Sequence, residues 1–121
     1  MTKRNYSHHP GWLILNKPIG ISSAKAVNIV KFFFNVKKAG HAGTLDPLAS
    51  GVLPIALDDA TKTIPYLVDT KKKYKFTVAW GQKTETDDSE GKVIEESDVR
   101  PSHENIKNAI GLFLGNIIQT P

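Results

Sequence analysis

The chain has 121 residues, of which 40% are hydrophobic, and 16 Lys and Arg against 12 Asp and Glu leave a net charge of +4. That length allows one domain with a real buried core. No apolar run could span a bilayer, Met1 to Pro10 hold no apolar signal core, and the lack of Cys rules out disulfides and thiolate metal sites, so a cytoplasmic protein is expected.

Met1 to Pro10 read as an N-terminal tail and the remainder as one mixed unit without repeats. Trp12 to Leu15 predict a strand, and Asn16 to Gly20 a turn punctuated by Pro18 and Gly20. Ser22 or Ser23 can cap the next helix, where Ala26, Ile29, Val30 and Phe33 fall at helical spacing and predict its buried face. A glycine-rich loop from Gly40 to Gly51 leads into Val52 to Leu57, an apolar stretch of strand length. Asp58 or Asp59 can then cap a short helix through Tyr66, bent near Pro65. Tyr74, Phe76, Val78 and Trp80 alternate with Lys75, Thr77 and Ala79, the pattern of a half-buried strand. Glu85 to Gly91 turn the chain toward a strand around Val93 and Ile94. Pro101-Ser102 open a last helix with Ile106, Ala109, Ile110 and Phe113 on one side, Gly115 ends it, and Ile117 to Gln119 start another strand. The expected class is α+β, with a mixed, largely antiparallel sheet and flanking helices.

Charge is placed unevenly. Thirteen of the 16 Lys and Arg but 4 of the 12 Asp and Glu precede Glu85, giving +9 up to Thr84 and −5 after it. Lysines such as Lys71-Lys72-Lys73 can neutralise phosphates and give salt-dependent affinity for nucleic acid, or can simply solvate a surface.

Within Gly40-His41-Ala42-Gly43-Thr44-Leu45-Asp46-Pro47 one carboxylate is fixed beside an imidazole. Pro47 pushes Asp46 out of the helical region, and the glycines permit a tight path, so Asp46 is the first candidate for chemistry. The plain alternative is a surface turn whose Asp satisfies backbone donors. A single His without a second His, Cys or carboxylate pair makes a metal site unexpected.

Three segments stand in order: Trp12-Leu13-Ile14-Leu15-Asn16-Lys17-Pro18-Ile19-Gly20-Ile21-Ser22-Ser23, the Asp46 loop, and Lys71-Lys72-Lys73-Tyr74. With Ala60-Thr61-Lys62, Gly81 to Gly91 and Gly115 to Pro121, they closely resemble the TruB family of tRNA pseudouridine synthases, of the stand-alone bacterial type. The resemblance covers the chain from Gly11 onward. It implies the N-terminal part of that family's catalytic domain, in an N-terminal fragment inactive alone, since the family's Asp-pairing Arg and RNA-binding domain would lie beyond Pro121.

The same resemblance implies roles for individual residues. Asp46 corresponds to the catalytic carboxylate, Tyr74 to the Tyr that stacks on the uracil, and His41 to a His that contacts the flipped nucleotide. Lys17, Lys62 and Asp88 match substrate-binding positions, though Lys17 and Pro18 read mainly as support for a turn. The partner implied is the T-arm of tRNA, bound by a monomer without membrane or metal, and the substrate is the uridine conventionally numbered 55.

Pseudouridine formation breaks the N1 to C1′ bond, turns the uracil and joins C5 to C1′. A carboxylate can serve by adding to the ring or sugar, or by removing the C2′ proton, and it needs no separate base to activate it. The target base must first leave its stack, which is what an aromatic platform is for. Two other readings remain, a non-catalytic RNA-binding module and a hydrolase with Asp46 as nucleophile. The latter lacks a second carboxylate at metal-binding spacing.

Overall fold

A computed structural model describes residues 5–119. The chain forms two compact units that divide between Lys73 and Tyr74. With helices and antiparallel strands side by side, the fold is α+β.

The first unit is built on a three-stranded sheet. β1 (Gly11–Lys17) and β2 (Ala39–His41) both pair antiparallel with β3 (Gly51–Leu57), which lies between them. Trp12 stands opposite Ala56, Lys17 opposite Gly51, and His41 opposite Ile55. Leu53, Ile55 and Leu57 repeat at the strand period of two, and together with Val36 and the helix residues Ala26, Val27 and Val30 they form the core. Leu13 and Leu15 of β1 pack against it, as does Leu45 from the loop ahead of β3.

The first helix, α1 (Ser23–Phe33), is capped by Ser22, whose Oγ accepts from Lys25 N. Its buried face is Ser23, Ala26, Val27 and Val30. Ile29 and Phe33, expected on that face, are 52% and 80% exposed. Ala26 and Val30 of the expected face are buried, while Ser23 and Val27 complete it in place of Ile29 and Phe33.

Asp58 does not cap a helix. It takes a positive φ of 46° after β3, and a 3-10 helix (Asp58–Thr63) and the short α2 (Pro65–Val68) follow. Its carboxylate instead accepts from His9 N and Lys38 N, at 2.8 and 3.4 Å. Residues 5–10, expected as a tail, are fastened to the unit: Ser7 bridges Val36, and Asn35 Nδ2 donates to Asn5 O.

In the second unit, β4 (Gln82–Thr84) and β5 (Val93–Glu96) make an antiparallel hairpin, and α3 (His103–Gly111) follows. Ser102 and Asn105 form a capping box at the start of α3. The strand expected over Tyr74 to Trp80 is absent. No described strand pairs with that tract, so its backbone lacks the ladder a strand requires. Tyr74, Phe76, Val78 and Trp80 are 59%, 81%, 50% and 49% exposed. The last helix stops at Gly111, before the expected Gly115, and Ile117 to Gln119 form no strand, while Thr120 and Pro121 lie outside the described residues.

Candidate active site

The loop between β2 and β3 carries Asp46, and its flanks are tied to the start of α1 on one side and to the turn that follows β1 on the other. Ahead of Asp46, Leu45 N donates to Ser23 Oγ at 2.9 Å, and Ser23 Oγ donates back to Leu45 O at 3.0 Å. After it, Gly20 N donates to Pro47 O at 2.7 Å, while Ala49 N closes a turn onto Asp46 O at 3.0 Å. The Asp46 side chain itself is exposed and, among the described residues, enters no hydrogen bond or ion pair. A carboxylate with a fixed backbone and unspent acceptors is one available to a ligand.

The turn from Pro18 to Ile21 is held in its own way. Side chains 13, 15 and 17 of β1 share a face, so Lys17 is carried inward behind two leucines. It is fully enclosed, and its Nζ donates to Pro18 O and Ile21 O at 2.9 and 2.8 Å. A buried ammonium without such acceptors would be costly. The geometry therefore makes Lys17 a pin for the turn, and its Nζ is not offered to a phosphate.

His41 ends β2. Its Nδ1 lies 2.6 Å from Gly43 O, and because a carbonyl can only accept, Nδ1 carries a proton there and Nε2 is the ring nitrogen left for another contact. Gly43 has a φ of +86°, and a Cβ there would stand 3.3 Å from Lys72 Cε and 3.6 Å from its Nζ. One cation of the basic run thus lies beside the Asp46 loop. Gly40 is needed for a different reason, since a Cβ on it would come within 2.8 Å of Ile64 Cδ1.

Lys62 lies on the 3-10 helix and pairs with Asp59 at 2.9 Å. That bond raises the Lys62 pKa and is the largest cause lowering that of Asp59, to which His8 contributes next. The pair is exposed, so water screens it and Lys62 can exchange Asp59 for another anion.

In the second unit Tyr74 is exposed, whereas Asp88 is engaged within its own turn. Asp88 Oδ1 accepts from Thr86 Oγ1 at 2.6 Å, from Glu90 N at 2.9 Å and from Gly91 N at 3.3 Å. These donors, Thr86 first, lower its pKa against the opposing effect of desolvation. Among the described residues no three His, Cys, Asp or Glu side chains could hold a metal ion together. Nor is any described helix long and apolar enough to cross a membrane.

Residues 31–121 match the sequence model of the TruB family pseudouridylate synthase N-terminal domain. The chain belongs to the TruB family. It is 62% identical over 111 residues to the tRNA pseudouridine synthase B of Ehrlichia chaffeensis, covering 92% of this chain and 38% of that protein. The Agrobacterium fabrum protein of the same name is 58% identical over 92% of this chain and 35% of its own length. For that of Ruegeria pomeroyi the values are 55%, 98% and 39%. The chain thus spans less than two fifths of the length of these curated relatives. A solved H/ACA RNP bound to a substrate RNA containing 2'-deoxyuridine is 49% identical over 47% of this chain and 18% of the matched chain, with a TM-score of 0.46.

In this TruB-family chain His41, Asp46, Lys62, Tyr74 and Asp88 fall inside the matched stretch, while Lys17 and Ser23 precede it. Sequence reasoning missed the bonds of Ser23 to Leu45 and the approach of Lys72 to Gly43. The doubled serine at the start of α1 was the available signal for the first, because one cap needs only one hydroxyl.

Proposed function

We propose that the protein containing this segment is a tRNA pseudouridine synthase that isomerises uridine 55 of the T-loop, with Asp46 as its catalytic carboxylate. The observation that carries the reading is the unpartnered Asp46 carboxylate on a loop anchored at Leu45 and Pro47, in a chain of the TruB family. Such a group can add to the uracil or the sugar, or take the C2′ proton, without a base to activate it.

His41 Nε2, Lys72 and Lys62 supply polar and cationic contacts for the flipped nucleotide and its phosphates. Tyr74 offers an exposed ring on which the extruded uracil can stack. Asp88 shapes the turn that follows β4, and its Oδ2 is the oxygen left for a substrate contact. Residues 11–121 form the N-terminal part of the catalytic domain, acting as a monomer on the T-arm in the cytoplasm. No cofactor or metal enters the reaction as written.

The test is to incubate the full-length protein with unmodified tRNA and map pseudouridine in the product. Conversion at the T-loop uridine is expected. Tight tRNA binding with no pseudouridine at any position would overturn the assignment in favour of a binding module.

A further inference from the structure

We infer that Ser23 is a positioning residue for the Asp46 carboxylate, acting through the backbone of Leu45. The inference rests on the reading of Asp46 as the catalytic group. Ser22 already supplies the helix cap, so the neighbouring hydroxyl is not needed for α1. Ser23 is 2% exposed, and its Oγ is spent wholly on Leu45, accepting from the N–H at 2.9 Å and donating to the C=O at 3.0 Å. A hydroxyl has one proton to give, and here that proton and a lone pair both serve a residue 22 positions away.

The consequence is geometric. Leu45 packs its side chain against the core and has both backbone groups held by Ser23, so the Cα of Asp46 starts from a fixed peptide. On the other side the Pro47 carbonyl is fixed by Gly20 N, a bond that no side-chain change removes. Ser23 is therefore the side chain through which the Asp46 backbone is held. Without its hydroxyl the Leu45 N–H and C=O lose their partner and must turn toward water, which tilts the Asp46 peptide while Pro47 stays anchored. Reacting groups displaced by about 1 Å can lose on the order of 100-fold in rate.

The experiment compares full-length wild type with Ser23→Ala, Ser23→Thr and Asp46→Asn. Single-turnover pseudouridine formation, tRNA Kd and the melting temperature are read for each, with hydrogen exchange at the Leu45 amide. Ser23→Ala is expected to lower the single-turnover rate about 10- to 100-fold, with Kd changed less than about 3-fold and faster exchange at Leu45. Ser23→Thr, which keeps the hydroxyl, should recover most of the rate. If Ser23→Ala fails to fold, Ser23→Cys replaces it, with a weaker donor and the same expected pattern. A wild-type rate well below the melting temperature, with Leu45 exchange accelerated, would overturn the inference. Activity in Asp46→Asn would instead overturn the reading of Asp46, whatever the Ser23 variants do.

Discussion

The backbone N–H of His9 donates to Asp58 Oδ2 across 2.8 Å and so ties the segment before β1 to the end of β3. Lys38 N adds a second bond to the same carboxylate, and Asp58 N returns one to Lys38 O at 2.9 Å. One aspartate joins three stretches of chain.

Stability should therefore depend on acid through Asp58. Its pKa is lowered, first by the His9 N–H, with desolvation opposing and the Lys38 N–H and the charge of His8 adding to the lowering. A carboxyl whose folded pKa is depressed stabilises fully above the ordinary aspartate value of about 3.9 and loses that contribution as pH falls through the folded value. Asp58→Asn, which tolerates the positive φ, should melt lower than wild type at pH 7. The gap between the two melting temperatures should close below about pH 4. A gap independent of pH would show that the charge of Asp58 contributes nothing.

Asp46→Asn keeps the volume and the loop but discards the carboxylate charge. In the full-length protein, turnover should fall by about 10,000-fold or more while tRNA binding stays near wild type. Pseudouridine mapping and a filter-binding titration together decide it. The isolated 121-residue chain should also be inactive in a single-turnover assay, because it spans only 38% of the length of the Ehrlichia chaffeensis relative.

Tyr74 separates ring from hydroxyl. Tyr74→Leu should cost about 1 to 3 kcal/mol in kcat/KM, the usual worth of a stacked base, and Tyr74→Phe much less. Because the side chain is 59% exposed, neither variant should lower the melting temperature appreciably. Equal losses would assign the role to the phenolic oxygen.

At Gly43 backbone strain outweighs space. A Cβ would meet only the flexible end of Lys72, but the φ of +86° is one that a side chain resists. Gly43→Ala should destabilise the fold by about 1 to 2 kcal/mol, measurable by urea denaturation. Moving Lys72 out of the way with Lys72→Ala should not restore it.

Binding of tRNA should weaken steeply with salt. Replacing Lys71, Lys72 and Lys73 together by Ala should reduce the slope of log K against log salt by about 2 to 3, and to a similar extent for unrelated RNAs. An unchanged slope would mark the run as a solvated face.

The loop that carries Asp46 was more legible in the sequence than the packing around it. Gly40, Gly43 and Pro47 punctuate the loop so strongly that Asp46 and His41 could be placed before any fold was known, and β1 and β3 follow from their apolar runs. Burial was harder to read. In α1 apolar residues occur on more than one side, and spacing does not say which of them the sheet covers. Alternation from Tyr74 to Trp80 describes side chains fit for a sheet but cannot supply the neighbouring strand. Lys17 reads mainly as support for its turn, but the full enclosure of its ammonium against the Pro18 and Ile21 carbonyls becomes visible only in the structure. Bonds between residues far apart, such as Ser23 with Leu45, leave no local pattern at all.

The enclosure of Lys17 also sets its reactivity apart from that of every exposed lysine. An ammonium that donates to two carbonyls and meets no solvent is shielded from amine-directed reagents, while Lys71, Lys72 and Lys73 stand open to them. Acylation at Lys17 then requires the Pro18 to Ile21 turn to open. Opening that turn also frees Gly20 from Pro47, so the rate of labelling at one amine becomes a clock for how often the Asp46 loop comes undone.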